Sequence, residues 1–314
     1  MADPLRRRVR AKALRALTGA ASLAPPAAVR AGLWPLAALA RFSSVEQKTL
    51  TNLRLAYGDE LDERELRRIA RGTRHHAREL ISNWMRLARS EPPEDGPRGD
   101  WIEDLVELDP SVEILHAQLA LGRGAIVVTG HLGDWELLCA RVRRIMSKGA
   151  VVGMKKRHDP VADWLIEMRR SYGATTLAQS TSPRELLRLV QEGGTLGLLC
   201  DLEVRRLAGE FLPFFGRPAL TMTAPAGLAR AGHLPLVPAR CVKPPGSQRY
   251  LLSFEEPLPF DRSIDRKLAT AELMGRVNQC FERWIRETPE QWAWHQPRWR
   301  TRPGELDATP LHGR

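Results

Sequence analysis

The sequence predicts an α/β fold: a layered αβα domain with a mainly parallel central sheet, preceded by an N-terminal helical appendage. Short apolar runs rich in β-branched residues alternate with amphipathic segments in the later part of the chain, which is typical of β-α-β units. The early part shows helical patterns only. The 314 residues are 43% apolar and 27% charged, a balance that is typical of globular proteins and excludes a disordered chain or a multi-span membrane protein.

Residues 1–90 are predicted to form the helical appendage, which we expect to associate with membranes. Residues 44–89 have a helical pattern throughout, and the acidic residues at 62–65 suit the first turn of a helix because they complement its dipole. The turn-rich stretch 91–100 then interrupts the helical pattern. Residues 91–314 are therefore predicted to form the α/β domain.

The elements of the α/β domain follow one another in alternation. Strands are predicted at 124–129, 150–154, 195–200, 236–241 and 250–254, and helices at 135–145, 161–172, 183–192, 224–230 and 267–286. Active groups of such folds lie where strands end and helices begin. This rule directs attention to His131, Arg157 and Asp201.

Positive charge is concentrated at the N-terminus. The chain has a net charge of +11, and residues 1–54 contain ten Lys or Arg against two acidic residues. The uncharged, Ala/Leu-rich runs at 16–29 and 31–40 are shorter than the ~20 residues that span a bilayer. A basic segment with short apolar runs favours binding to an anionic membrane surface. Packing on the body of the protein and nucleic-acid binding are the alternatives.

The N-terminus also bears on the compartment. Its basic region is long and its apolar part is interrupted by prolines, which does not fit a signal peptide, so we expect the chain to remain on the cytoplasmic side. The four cysteines are widely spaced and form neither a CxxC pair nor a zinc pattern. We interpret them as reduced core residues in a reducing compartment, and we expect no metal site.

One motif combines a strand end with a base and an acid. Residues 130–136 (GHLGDWE) follow the strand at 124–129, so we expect His131 in the turn and Glu136 in the first helical turn, where its carboxylate would reach the imidazole and fix its tautomer. An imidazole held in this way is a general base for a hydroxyl group, and nearby turn amides could stabilise an anion. Asp134 is also acidic and either binds substrate or caps the helix. A buried, hydrogen-bonded core histidine is the alternative for His131.

The same stretch resembles the His-x4-Asp/Glu motif of glycerolipid-type acyltransferases. It is most similar to the bacterial lipid A late acyltransferases of the lauroyl/myristoyl type and to the related mannolipid acyltransferases. Five further blocks resemble that family in the same order: TNLRLA at 51–56, KKRHDP at 155–160, GLLCD at 197–201, PFFGRPA at 213–219 and PEQWAWH at 289–295. Six blocks in order make the resemblance specific, although each alone is weak.

The resemblance implies transfer of a fatty acyl chain from an acyl carrier protein or CoA thioester to a hydroxyl of a membrane glycolipid or phospholipid, such as a lipid A precursor. It implies that His131 is the base and that Glu136 orients it. Arg157 would contact a phosphate or the developing oxyanion, with a solvated surface cation as the alternative. Asp201 would stand near the base or a basic partner, with a strand-end cap as the alternative. Asp134 occupies a position where the family commonly has Asn.

The partners and the location follow from the same resemblance together with the charge. No metal or organic cofactor is expected, because the thioester donor is already activated. The basic surface suits docking of an acidic acyl carrier protein, and we expect a peripheral or weakly anchored protein at the cytoplasmic face of the cell inner membrane, without a nucleic-acid partner. Two alternatives remain: a thioesterase or lipid hydrolase that uses the His-acid pair on water, and a non-catalytic membrane-binding scaffold.

The C-terminal stretch alternates tryptophans with arginines. The residues are Trp284, Trp292, Trp294 and Trp299 with Arg298, Arg300 and Arg302. This composition suits a lipid headgroup zone or base stacking, but we favour a buried core edge, because tryptophan is usually largely buried.

Overall fold

The computed structural model describes residues 19, 24–35, 39, 42–92, 101–153, 159–205 and 207–305. Its strands are β1 (Val106–Leu108), β2 (Ala125–Thr129), β3 (Gly149–Gly153), β4 (Thr175–Ala178), β5 (Thr195–Leu199), β6 (Gly209–Phe214), β7 (Arg217–Met222), β8 (Leu236–Val242) and β9 (Tyr250–Phe254). Its helices are α1 (Pro26–Gly32), α2 (Ser44–Tyr57), α3 (Glu63–Leu87), α4 (Trp101–Leu105), α5 (Glu113–Ala120), α6 (Trp135–Val142), α7 (Pro160–Ser171), α8 (Pro183–Gln191), α9 (Ala224–Gly232) and α10 (Arg266–Glu287).

Seven strands form the central sheet, in the order β1-β9-β8-β2-β5-β3-β4. All neighbours in it are parallel except β8 and β9. The central strand β2 (AIVVT) is buried over its whole length, which explains its continuous apolar sequence. The predicted α/β fold with a mainly parallel sheet is therefore confirmed.

Alternate residues of β2 belong to two different apolar cores. Ile126 and Val128 pack in one cluster, whereas Ala125 and Val127 pack in the other. Successive side chains of a strand point to opposite faces, so apolar cores cover both faces of the sheet. The chain thus has the predicted αβα layers.

The N-terminal helices contribute to one of these cores. Leu50 and Leu53 of α2, together with Leu66 and Ile69 of α3, pack in the same cluster as Ile126 of the central strand. Among the described residues, no helix combines the length and the apolar character that crossing a bilayer requires. The domain boundary at residue 90 stays a prediction.

Several predicted elements need correction. The helical segment 44–89 is divided at Gly58, which has a φ of +53°, and the helix start predicted at 62–65 is confirmed, with Asp62 as its N-cap. The short strands β1 and β4 contain three and four residues, too few to show a period in the sequence. A separate antiparallel hairpin, β6–β7, lies outside the main sheet and was not predicted from the sequence.

Three of the four C-terminal tryptophans, Trp284, Trp292 and Trp294, are buried, as we expected, and Trp299 is partly buried. The side chains of Trp292 and Trp294 are 1% and 0% exposed, and their rings lie 4.6 Å apart between centroids in an edge-to-face arrangement. Arg298 is fully buried and places its guanidinium 4.3 Å from the ring centroid of Phe214. Within this aromatic cluster, Trp292 forms an antiparallel bridge with Leu132, which lies just after β2 in the chain.

Candidate active site

The turn that carries His131 requires two glycines. A Cβ on Gly130 would lie 2.9 Å from Cγ of Asp201, so any larger residue would displace that carboxylate. Gly133 has a φ of +61°, and a Cβ there would lie 2.0 Å from the carbonyl oxygen of Cys241. The turn therefore lies tightly between the end of β5 and the strand β8.

Asp201 is the carboxylate that contacts the imidazole. Thr129 and Leu199 are partners in the parallel pair β2–β5, and His131 and Asp201 each follow their strand by two residues. The sheet register consequently brings the two side chains together. Oδ1 of Asp201 lies 2.9 Å from Nδ1 of His131, and Oδ2 accepts a 2.7 Å hydrogen bond from the His131 backbone N–H.

The burial of the pair is asymmetric. The Asp201 side chain is 1% exposed, whereas that of His131 is 26% exposed. Burial alone would raise the pKa of Asp201, but the charge of His131 and the hydrogen bonds from His131 and Trp292 hold that pKa below its usual value. An ionised Asp201 accepts a hydrogen bond from the N–H of Nδ1, so Nε2 keeps the lone pair with which an imidazole acts as a base.

The expected contact between Glu136 and His131 is wrong. Glu136 lies in the first turn of α6, as predicted, but its side chain points away from the turn and is 1% exposed. Its carboxylate forms a buried ion pair with Arg169, with a shortest N–O distance of 2.6 Å, and accepts a 2.7 Å hydrogen bond from the hydroxyl of Tyr172. The acid therefore ties α6 to α7.

Asp134 caps the helix and is not placed to bind a substrate. Its side chain is 0% exposed, and Oδ1 accepts hydrogen bonds from the Leu137 backbone N–H and the indole of Trp84. Oδ2 accepts a 3.0 Å hydrogen bond from Nδ2 of Asn83. Of the two interpretations of this acid, the helix cap is confirmed.

Asp134→Asn is expected to remove a pH dependence of stability. Burial raises the pKa of Asp134 from its ordinary value of 3.8 to about 6, despite hydrogen bonds that lower it. The folded state therefore binds this proton more readily than the unfolded state, and the contribution of Asp134 to stability decreases as the pH rises from 3.8 to about 6. The decrease is about 3 kcal/mol.

Denaturant unfolding of wild type and Asp134→Asn at several pH values measures this effect. Three N–H groups donate to the carboxylate of Asp134, and in the Asn variant one of them faces an NH₂ group instead of an oxygen. This mismatch lowers the stability of the variant by ~1–3 kcal/mol at every pH. The free energy difference between the two proteins should therefore change between pH 4 and pH 6. Parallel stability curves would contradict the buried, titrating carboxylate.

Three amides of the turn are not available to the anion that the sequence suggests. The backbone N–H of His131 donates to Asp201, that of Gly133 to the carbonyl of Gln291 and that of Asp134 to the carbonyl of Cys241. These three amides are already engaged. Arg157, the predicted phosphate or oxyanion contact, lies outside the described residues.

His131 lines two cavities. The first has a volume of about 300 Å³, and its walls are mostly apolar and come from α2, α3 and the stretch 291–295. The second, of about 610 Å³, extends over the ends of the strands towards α7 and α9 and includes the charged groups Asp159, Arg169 and Glu203. Both volumes lie within the range of small-molecule sites.

Three buried residues of the site were not recognised from the sequence. Trp292 donates to Asp201, Arg169 neutralises Glu136, and His76 of α3 lies 3.1 Å from the carbonyl oxygen of Gly133 through Nε2. Burial lowers the pKa of His76 to about 4, so this histidine is neutral at physiological pH. The PEQWAWH block contains Trp292 and was a signal for it, whereas nothing in the sequence singles out Arg169 or His76.

The fold and the site define an α/β protein in which a histidine bound to a buried carboxylate lies at the end of the central strand and lines two cavities. The chain belongs to the bacterial lipid A biosynthesis acyltransferase family, whose model matches residues 14–301. It is thus an enzyme that transfers acyl groups from an acyl donor to a lipid acceptor. No curated protein sequence matches the chain significantly.

Proposed function

We propose that this protein transfers a fatty acyl chain from an acyl carrier protein or CoA thioester to a hydroxyl of a membrane glycolipid such as a lipid A precursor. The observation that supports this mechanism best is the 2.9 Å contact between Nδ1 of His131 and the buried carboxylate of Asp201. That contact favours the tautomer with the proton on Nδ1 and the basic lone pair on Nε2. His131 is then the general base, and Asp201 is the residue that orients it.

The reaction needs no group beyond the two substrates. Nε2 of His131 takes the proton of the acceptor hydroxyl while the hydroxyl oxygen attacks the thioester carbonyl carbon. The tetrahedral intermediate then collapses and the C–S bond breaks. The imidazolium gives its proton to the leaving thiolate, which restores the neutral imidazole. Asp201 stabilises the imidazolium between the two proton transfers. No metal or organic cofactor takes part, because the thioester is already activated, and Arg157 stays a candidate for the oxyanion or a phosphate.

The two cavities suit the two substrates. The cavity between α2, α3 and the histidine turn has mostly apolar walls, which also include Glu46, Arg74 and Arg78, and it suits the acyl chain. The larger cavity contains Arg169, Asp159 and Glu203 and suits a polar headgroup that carries the hydroxyl. His131 lines both cavities, which is the position that a base needs in order to act between an acyl donor and an acceptor hydroxyl.

Ala77→Trp is expected to shorten the acyl chain that the enzyme prefers. Ala77 lies in the wall of the apolar cavity and its side chain is exposed to that space, so the larger ring fills the cavity rather than the core. Competition between donors of two chain lengths, with the products separated by mass spectrometry, measures the preference. His75→Trp, at an exposed position of α3 that does not line the cavity, is the control. An unchanged preference in Ala77→Trp would assign the acyl chain to the other cavity.

The N-terminal part suits binding to an anionic membrane surface. Trp34, Leu39, Phe42 and Val45 are exposed large apolar side chains, and Val45 also lines the apolar cavity. The densest basic stretch, residues 6–15, lies outside the described residues. Attraction between basic side chains and anionic lipids contributes about 1 kcal/mol for each Lys or Arg near the surface, and salt screens it. We place the protein peripherally at the cytoplasmic face of the inner membrane.

Neutralising Arg6, Arg7, Arg8 and Arg10 to Gln is expected to weaken binding to vesicles that contain anionic lipid. Flotation at low and high salt measures the effect, with zwitterionic vesicles as the control. Wild-type protein should detach as salt rises, and the variant should bind weakly at every salt concentration. Wild-type protein that leaves anionic vesicles only with detergent would contradict a peripheral attachment.

An assay of the purified full-length chain tests the proposed function. Acyl carrier protein and CoA thioesters are offered separately, each with and without a lipid A precursor in vesicles, and mass spectrometry follows both lipid and free fatty acid. Acylated lipid that depends on the acceptor is the expected result, and the two donors show which carrier is used. Free fatty acid formed equally well without acceptor would instead indicate a thioesterase.

A further inference from the structure

The carboxylate of Asp201 has a second side-chain partner besides the histidine. The indole Nε1 of Trp292 donates a 2.7 Å hydrogen bond to Oδ2, the oxygen that also accepts from the His131 backbone. Asp201 and Trp292 are both buried, so water does not replace a missing donor there. Among the described residues, the carboxylate has three hydrogen-bond donors: the indole of Trp292, the backbone N–H of His131 and Nδ1 of His131.

Backbone pairing holds Trp292 in register with the histidine turn. Trp292 and Leu132 form an antiparallel bridge. On either side of it, the Gly133 N–H donates to the Gln291 carbonyl and the Ala293 N–H donates to the His131 carbonyl, each at 3.0 Å. The stretch 291–293 therefore lies against the turn like a short strand, and the indole reaches the carboxylate from a fixed position.

We infer that Trp292 is a positioning residue of the acyl-transfer site: its indole N–H holds Asp201 in the orientation that keeps the imidazole proton on Nδ1 and Nε2 facing the substrates. The inference rests on the proposed function and extends it from a pair to a chain of three side chains. Hydrogen bonds to an ionised carboxylate are about twice as strong as neutral ones. Without this bond, Oδ2 keeps only a backbone donor, and the carboxylate can rotate away from the imidazole.

The test compares Trp292→Phe with Trp294→Phe. Each variant keeps a large aromatic ring and loses one indole N–H. Trp294 is the matched control, because its ring packs against that of Trp292 and it is fully buried. Its indole also donates a 2.7 Å hydrogen bond, but to the carbonyl of Pro289. We expect Trp292→Phe to lower kcat by about tenfold to hundredfold with little change in KM, and Trp294→Phe to leave kcat nearly unchanged.

The pH profile distinguishes positioning from packing. An N–H dipole directed at the His131–Asp201 pair disfavours adding a proton to it, so its loss should move the acid limb of kcat/KM to higher pH. Among the described residues, the other ionisable groups that face the pair are His295, Arg298 and Cys200, and both variants retain them. Trp294→Phe should keep the wild-type acid limb.

Two outcomes would overturn the inference: equal loss of kcat in both variants with an unmoved acid limb, or a Trp292→Phe variant with wild-type kcat. If Trp292→Phe does not fold, benzothienylalanine at position 292 keeps the ring shape and replaces the N–H by sulfur, and the same profile is measured on it. Wild type and His131→Ala are assayed alongside. A wild type that transfers no acyl group refutes the proposed function, whereas an active wild type with an unaffected position 292 refutes only the role of Trp292.

Discussion

His131→Ala is expected to lower kcat/KM for acyl transfer by ~10²–10⁴, because it removes the base that takes the proton of the acceptor hydroxyl. The substitution removes little packing, since the side chain is 26% exposed and makes one ring contact, with Trp135 at 5.0 Å between centroids. Steady-state rates of lipid acylation with saturating donor measure the loss.

His131→Asn separates the loss of the base from a disturbed carboxylate. The Ala variant leaves Asp201 buried without its imidazole partner, which could by itself perturb the site. Asn places an NH₂ group near the position of Nδ1 and so keeps a donor for Asp201, but it has no basic nitrogen. We expect it to be as inactive as His131→Ala and more stable to denaturant. A tenth or more of the wild-type rate in either variant would remove His131 from the mechanism.

Asp201→Asn is expected to have an effect of similar size, ~10²–10⁴ in kcat/KM, through the wrong tautomer. Two N–H groups already point at Oδ2, so the single oxygen of the amide stays on that side. The NH₂ group then faces Nδ1 of His131, which must become an acceptor, and the ring proton moves to Nε2. The imidazole keeps its place and loses its basic lone pair at the substrate. Rates are measured as for His131, and circular dichroism checks the fold.

Glu136→Gln is the matched control for Asp201→Asn, because both exchange a buried carboxylate for its amide. Glu136 neutralises Arg169, whose side chain is 10% exposed, so its loss leaves a largely buried charge without a counterion. Breaking a buried ion pair costs about 3–5 kcal/mol of stability. We expect Glu136→Gln to unfold at lower denaturant concentration but to retain activity per folded molecule. The opposite result, a stable and inactive Glu136→Gln with an active Asp201→Asn, would make Glu136 the orienting acid.

The sequence by itself determined the fold class and the place of the site. Strand β9 occupies its predicted range, 250–254, and β2 and β5 lie within one residue of theirs, because short, largely apolar runs are typical of buried strands. The position of His131 followed from the glycine that ends β2, since chemistry in parallel sheets concentrates at such ends. The hairpin β6–β7 was not predicted, although the PFFGRPA block covers its turn, where Phe215 and Gly216 both have positive φ values.

Only the tertiary structure decided which acid contacts the base. Glu136 is five residues from His131 in the chain, but the start of α6 turns its side chain into the core beside Arg169 and Tyr172. Asp201 is seventy residues away and meets the imidazole because β2 and β5 are adjacent and in register. The contact of Trp292 with Asp201 spans ninety-one residues and depends on the C-terminal segment pairing with the turn. Spacing along a chain sets local geometry, whereas sheet order and register set these contacts, and one sequence does not encode them in a readable local pattern.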